Sequence, residues 1–225
     1  MDRAFIFDVF GTCVDWRGSV AREVARALPG VDAMAFAVAW RAEYDPAMKA
    51  IRDGGRGYVA LDLLHRENLE RVAARFGVAV PDPARLNRAW ERLDPWPDVV
   101  GGLLALKAHG LVAPCSNGSI ALMARLARYG GLPWDCILGA DIARDYKPKH
   151  SVYLASCAAL GLAPERVVMV AAHNADLFAA REAGLGTAFV ARPDEHGVEM
   201  GRDLVPEADW DIVAADFHDL AVQVG

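Results

Sequence analysis

Short, wholly apolar runs recur along this chain, and helical periodicity follows most of them. The runs are Ala4-Phe5-Ile6-Phe7, Leu111-Val112-Ala113-Pro114-Cys115, Cys136-Ile137-Leu138-Gly139-Ala140, Val167-Val168-Met169-Val170-Ala171-Ala172 and Thr187-Ala188-Phe189-Val190-Ala191. Runs this apolar and this short suit strands covered on both faces. Helical patterns follow over residues 119–129, 150–160 and 175–183, stopping at Gly130, Gly161 and Gly184. Glycine tolerates the left-handed turn that closes a helix. Strand and helix in alternation predict an α/β fold: a doubly wound, Rossmann-like parallel sheet.

The stretch between the first two runs is different. Only helical periodicity is found there, over residues 19–28, 33–52, 59–76 and 83–93. The segment Asp94-Pro95-Trp96-Pro97-Asp98 then breaks the pattern, and a helix over 99–109 resumes it. This predicts an all-helical cap, residues 16–97, inserted into a core made of residues 1–15 and 98–225.

The composition permits a large core: 54% of the 225 residues are hydrophobic and 24% charged. A net charge of −6 without Lys/Arg clusters argues against a nucleic-acid surface. No apolar run reaches membrane-spanning length. The start of the chain, charged at Asp2 and Arg3 and again at Asp8, does not read as a signal peptide. Cys13, Cys115, Cys136 and Cys157 form no CxxC pair and no metal-ligand spacing. They read as reduced thiols of a cytoplasmic protein, with neither nucleic acid nor membrane as partner.

In open parallel sheets, ligands bind beyond the carboxyl ends of the strands. The first run ends at Asp8, the second at Ser116-Asn117-Gly118; the third is followed by Lys147-Pro148, the fourth by His173, Asn174 and Asp176. The fold is therefore expected to gather two carboxylates, a hydroxyl, an amide and a cation at one edge.

These residues resemble the haloacid dehalogenase superfamily at all four of its motif positions. Asp8-Val9-Phe10-Gly11-Thr12 resembles the first motif, Ser116 the second, Lys147 the third and Asp176 the last. Phosphatases of that superfamily carry a second aspartate two positions after the nucleophile, where this chain has Phe10. They carry a further Mg²⁺-binding carboxylate where this chain has Ala171 and Ala172. A hard dication wants several oxygen ligands, so no metal and no cofactor are expected. The branch resembled is that of the type II, L-2-haloacid dehalogenases, with Val14-Asp15-Trp16-Arg17, Trp40-Arg41 and Tyr153 as further matches.

The resemblance implies displacement of halide from a small 2-haloacid, with inversion, through an aspartyl ester on Asp8. The residue chemistry is consistent with this. A carboxylate can serve as nucleophile and split the reaction in two, and Lys147 beside it favours the ionised form. Backbone N–H groups around Val9, Phe10 and Asn117, with the hydroxyls of Thr12 and Ser116, suit a substrate carboxylate. Arg41 from the cap, with Asn117, suits the departing halide. Phe10 would exclude water from the first step, and Asp176 would activate or position it in the second. The better-known dehalogenase pattern has Ser and Asn where this chain has Ala171 and His173. His173 could support the water or Asp176, or narrow the halide pocket together with Asn174; a narrow pocket suits substrates as small as fluoroacetate.

Each residue also has a structural reading. Ser116 could cap a helix, although Ser119 competes for that position. Arg41 could pair with Glu43 or Asp45, Tyr153 could pack in the core, and Asp176 could cap its helix. Two other function classes remain open: a phosphatase or phosphotransferase on a small phosphorylated metabolite, and a non-catalytic binding module. The resemblance also allows a homodimer.

Overall fold

The computed structural model describes residues 3–197 and 203–225. Six parallel strands form the central sheet: β1 (Ala4–Phe7), β4 (Leu111–Ser116), β5 (Leu138–Gly139), β6 (Val167–Ala171), β7 (Gly186–Val190) and β8 (Ile212–Ala214). Their spatial order is β5-β4-β1-β6-β7-β8. Two short strands, β2 (Val14–Asp15) and β3 (Asp94–Pro95), pair antiparallel outside this sheet.

Side chains alternate faces along a strand, and the core follows that rule. Phe5 and Phe7 of β1 point into one apolar cluster, Ala4 and Ile6 into another. Helices α6 (Val99–Leu106), α7 (Ile120–Gly130) and α11 (Phe217–Val224) cover the first face through Leu103, Leu126 and Phe217. Helices α9 (His150–Leu160) and α10 (Asn174–Glu182) cover the second through Val152, Tyr153 and Leu177. A sheet buried on both faces needs apolar strands throughout, which is why these strands were readable. The chain leaves β1 toward β4 on one side and later crosses to β6 on the other. The crevice at this reversal lies between the ends of β1 and β6, where open α/β sheets bind ligands.

The elements between β2 and β3 are helical: α1 (Trp16–Ala27), α2 (Ala33–Ala42), α3 (Tyr44–Arg52), α4 (Leu61–Arg75), α5 (Pro83–Asn87) and a 3₁₀ turn at Arg88–Glu91. Phe36, Trp40, Leu64 and Trp90 form their shared core, with the Trp90 ring stacked on His65 at 4.3 Å.

The structure departs from the sequence expectation in five places. The helix expected over 83–93 ends at Asn87 and continues only as the 3₁₀ turn. Residues 33–52 were expected as one helix, but the chain breaks at Glu43 between α2 and α3. Pro46 is the cause. It lacks an N–H, and its ring would collide with the carbonyl of residue 42, so it is accommodated only in a first turn. The left-handed stop of α7 is Gly131 (φ 67°), not Gly130. The third apolar run yields only two strand residues, because Ala140 opens a short helix, α8 (Ala140–Ala143). Strand β8 and helix α11 were not anticipated. Among the described residues, no helix is long and apolar enough to cross a membrane.

Candidate active site

Asp8 extends the first strand by one rung, its N–H donating to the Val170 carbonyl at 3.0 Å. The chain then turns back on itself: Cys13 and Val14 both donate to the Val9 carbonyl, at 2.9 and 3.2 Å. Gly11 makes this turn at φ +92°, a region that residues with a Cβ rarely occupy. The turn returns Thr12 to Asp8, where Thr12 Oγ1 donates to Asp8 Oδ2 at 2.8 Å and accepts from Ala172 N at 2.9 Å. One hydroxyl thereby joins the ends of β1 and β6.

Lys147 reaches the same point from the loop before α9. Asn117 Oδ1 accepts from its backbone N–H at 2.8 Å, linking this loop to the end of β4. The Lys147 ammonium donates to Asp8 Oδ1 at 2.9 Å and to Asp176 Oδ2 at 2.5 Å. Asp176 is the third residue of α10, and its other oxygen accepts from the Tyr153 hydroxyl. All three charged groups are less than a tenth exposed. Buried charges must be paired, and this trio is.

His173, just before α10, joins two carboxylates. Nδ1 lies 3.0 Å from Asp8 Oδ2, and Nε2 lies 2.8 Å from Glu195 Oε2. Glu195 comes from the loop after β7 and is itself held by Trp16 Nε1, which donates to Oε1 at 3.0 Å. Trp16 is the first residue of α1, so the helical insert orients the carboxylate that orients His173.

These contacts fix the charges. Burial alone would raise the Asp8 pKa, but the Lys147 ammonium and His173 overcome it and hold the group far below the ordinary carboxylate range. Burial disfavours the charged Lys147, yet Asp176 and Asp8 raise its pKa above the ordinary value. His173 behaves likewise: burial opposes its charge, while the hydrogen bonds to Asp8 and Glu195 lift its pKa well above 6.5. For Asp176, burial and then the neighbouring Asp8 prevail over Lys147, and its pKa is raised.

Over this floor lies a cavity of about 230 Å³, lined by Asp8, Lys147 and His173 below and by Arg41, Tyr44 and Met48 from the insert. The Arg41 guanidinium lies over the Tyr44 ring, its central carbon 3.9 Å from the centroid. Neither sequence-expected ion pair forms: Glu43 binds Arg71 and Arg75, and Asp45 binds Arg52. Among the described residues, Arg41 has no carboxylate partner. A cation without a counter-charge beside a small cavity suits an anion. Phe10 closes one wall, edge-on to Trp90 at 5.8 Å and to Tyr44 at 6.2 Å. A larger cleft of about 590 Å³ lies elsewhere on the insert, but Glu23 already engages its Arg26 and Arg92.

Of the residues singled out from the sequence, Asp8, Phe10, Arg41, Asn117, Lys147, His173 and Asp176 line this cavity. Thr12 stands directly behind Asp8. Tyr153 lies behind Asp176, and Ser116 Oγ accepts from Gly118 N at 3.0 Å, bracing the turn. The Val9 side chain is core, leaving only its backbone near the site. Asn174 is turned away. Its amide binds Asp203 Oδ1, the Val205 carbonyl, Glu207 N and Trp210 Nε1, and thereby fastens the segment before β8. Glu195 escaped the sequence reading because it lies in an irregular loop with no periodicity or motif around it.

Residues 3–184 match the family of haloacid dehalogenase-like hydrolases. The chain is 32% identical over 213 residues to an (S)-2-haloacid dehalogenase of Xanthobacter autotrophicus, covering 91% of this chain and 80% of that protein. Its structure superposes on the crystal structure of a defluorinating L-2-haloacid dehalogenase with a TM-score of 0.95 and 48% identity, covering 99% of this chain and 94% of the other. The structure of an L-2-haloacid dehalogenase from Xanthobacter autotrophicus with chloropropionic acid covalently bound superposes with a TM-score of 0.85. The residues so paired are 26% identical and cover 100% of this chain and 98% of that one.

Proposed function

This chain belongs to the haloacid dehalogenase-like hydrolases, and from that premise we propose that it hydrolyses small 2-haloacids to 2-hydroxyacids through an ester on Asp8. The observation that carries the reading is Asp8 itself: a buried carboxylate held ionised, on the same small cavity as the uncompensated Arg41. A relative with chloropropionic acid covalently bound supports the covalent route.

Asp8 Oδ2 is engaged by Thr12 and His173, whereas among the described residues the side-chain partner of Oδ1 is Lys147 alone. Oδ1 thus keeps a lone pair for the substrate 2-carbon. It attacks opposite the halide, the carbon–halogen bond breaks with inversion, and the halide departs toward Arg41 and Asn117. Positive charge placed where an anion develops is commonly the largest catalytic contribution. Water then adds to the ester carbonyl of Asp8. Asp176 is tied to Lys147 and Tyr153, whereas His173 Nδ1 directly faces Asp8 Oδ2 at 3.0 Å, so His173 is the better-placed base. Ester formation removes the charge of Asp8, one of the two carboxylates that keep His173 protonated, so the ring loses its Nδ1 proton to solvent and the neutral imidazole then takes a proton from water. Collapse breaks the bond between Asp8 Cγ and the substrate oxygen, which takes the proton from His173 and leaves as the hydroxyl of the product, and the carboxyl left on Asp8 ionises and re-protonates His173.

Fluoroacetate falls within this proposal. The cavity is small, and a defluorinating enzyme is among the similar structures. Excess enzyme with L-2-chloropropionate in H₂¹⁸O for a single turnover tests the route. The label is expected in Asp8 and absent from lactate; label appearing directly in lactate refutes the ester. Fluoride release from fluoroacetate no greater than the no-enzyme blank removes that substrate.

A further inference from the structure

His173 and Glu195 belong to a second constellation. Among the described residues, His173, Glu195 and His196 are a group whose ligand atoms all lie within 4.8 Å of one another. We propose that these three side chains form a binding site for a borderline dication of the Zn²⁺ type, and that its occupation switches off the proposed ester hydrolysis.

The geometry suits the ion. Tetrahedral zinc with N and O ligands at about 2.0–2.2 Å spaces neighbouring ligand atoms roughly 3.4 Å apart. His173 Nε2 lies 2.8 Å from Glu195 Oε2, and His196 Nε2 lies 3.7 Å from Glu195 Oε1. All three ligand atoms lie within 4.8 Å of one another, so side-chain rotations without backbone rearrangement would bring them onto a single ion. Two imidazoles and one carboxylate are a zinc donor set, with a fourth position left for water. Mg²⁺ wants mostly oxygen and is a poor match.

The surroundings are also those of a metal site. A ligating imidazole usually donates its other ring N–H to a carboxylate, which fixes its tautomer and orientation. His173 Nδ1 already faces Asp8 Oδ2 at 3.0 Å. Glu195 is only 3% exposed and is held by the Trp16 N–H. His173 and His196 are about a quarter exposed, with side-chain values of 22% and 25%, so the ion has a side from which to enter.

Inhibition follows from the tautomer and rests on the dehalogenase reading above. As a base toward the ester on Asp8, His173 needs an empty Nδ1, with its proton on Nε2 facing Glu195. A metal ion takes the Nε2 lone pair, displaces one proton to solvent from the imidazolium, and leaves the remaining proton on Nδ1. The nitrogen facing the ester then has no lone pair to offer. Catalysis and metal binding therefore need opposite tautomers of one ring.

The test uses the full-length protein freed of metal with EDTA. Titration with Co²⁺ is expected to give a visible ligand-field spectrum of low coordination number, abolished by one equivalent of Zn²⁺. His196→Ala and the more conservative His196→Gln are expected to weaken Co²⁺ binding by at least the roughly 10–100-fold that loss of an outer partner costs a metal site. Both variants should keep metal-free turnover. Zn²⁺ should cause the Asp8 ester to accumulate in the parent protein and not in the variants. A spectrum that stays that of the hydrated ion, or affinity unchanged in both variants, overturns the site. Co²⁺ binding that depends on His196 in a protein without dehalogenase activity keeps the site and refutes the reading of function instead.

Discussion

The carboxylate of Glu195 fills the space that a side chain on Gly11 would need. A Cβ built on Gly11 would lie 2.0 Å from Glu195 Oε1, and the residue sits at φ +92°. Gly11 thus shapes the turn after Asp8 and also makes room for the partner of His173. Gly11→Ala is expected to push Glu195 off His173 and slow ester hydrolysis about 10²-fold, the lower end of what a positioned base contributes. Ester formation should change far less. Rapid quench with mass analysis of the Asp8 peptide separates the two steps.

Removing the base itself has a larger effect on the same step. His173→Ala is expected to slow hydrolysis by roughly 10²–10⁴-fold. The mark of this role is accumulation of protein carrying the alkyl adduct during turnover. A variant that stays unmodified while turnover falls would place His173 in the first step.

The role proposed for Arg41 lies in the first step. Arg41→Ala is expected to reduce the single-turnover burst of halide by about 10²–10³-fold, the cost of removing a charge-stabilising donor. Arg41→Lys should restore only part of it, because an ammonium lacks the planar face that lies on Tyr44.

The two steps should respond differently to acid, measured with EDTA present. Asp8 is held far below its ordinary 3.8, so ester formation stays flat until strongly acid pH. Hydrolysis needs neutral His173 and rises with pH, so the ester fraction at steady state grows as pH falls. Stability follows the same groups. The contribution of Asp8 is complete above 3.8 and lost as pH falls through its folded value. That of His173, raised in the folded state, is complete below 6.5 and lost as pH rises through its folded value.

Lys147 is expected to support the fold as well as the proposed chemistry. Lys147→Ala leaves Asp8 and Asp176 buried without their shared cation and is expected to cost about 3–5 kcal/mol in urea unfolding. Lys49→Ala breaks an exposed pair with Asp53, and should move the same measurement by less than about 1 kcal/mol.

What was legible in the sequence follows from where each residue sits. Asp8, Asn117 and Asp176 lie close after strands whose apolar character is forced by burial on both faces, so locating the strands located them; Lys147 stands further on, beyond β5 and α8. Arg41 was readable as a cap residue, but its lack of an ion pair depended on Arg52, Arg71 and Arg75 taking its acidic neighbours. Asn174 was misjudged because, beside His173, the direction of a side chain at a helix start depends on backbone torsions and not on spacing. Glu195 and strand β8 follow irregular segments. There the chain path is set by contacts such as Trp16 with Glu195 and Asn174 with Trp210, between residues distant in sequence. The break at Glu43 was readable in principle from Pro46; apolar periodicity continuing through it hid the interruption.

The β2–β3 pair brings the two chain crossings between sheet and insert side by side. Val14 stands opposite Pro95 and Asp15 opposite Asp94, so entry and exit are about 5 Å apart, the spacing of neighbouring strands. A segment that leaves and returns at nearly one point can be replaced without stretching its host. The host carries Asp8 and Lys147, while the exchangeable segment carries Arg41 and Tyr44. This architecture allows a lineage to retain one nucleophile and graft new substrate preferences onto it.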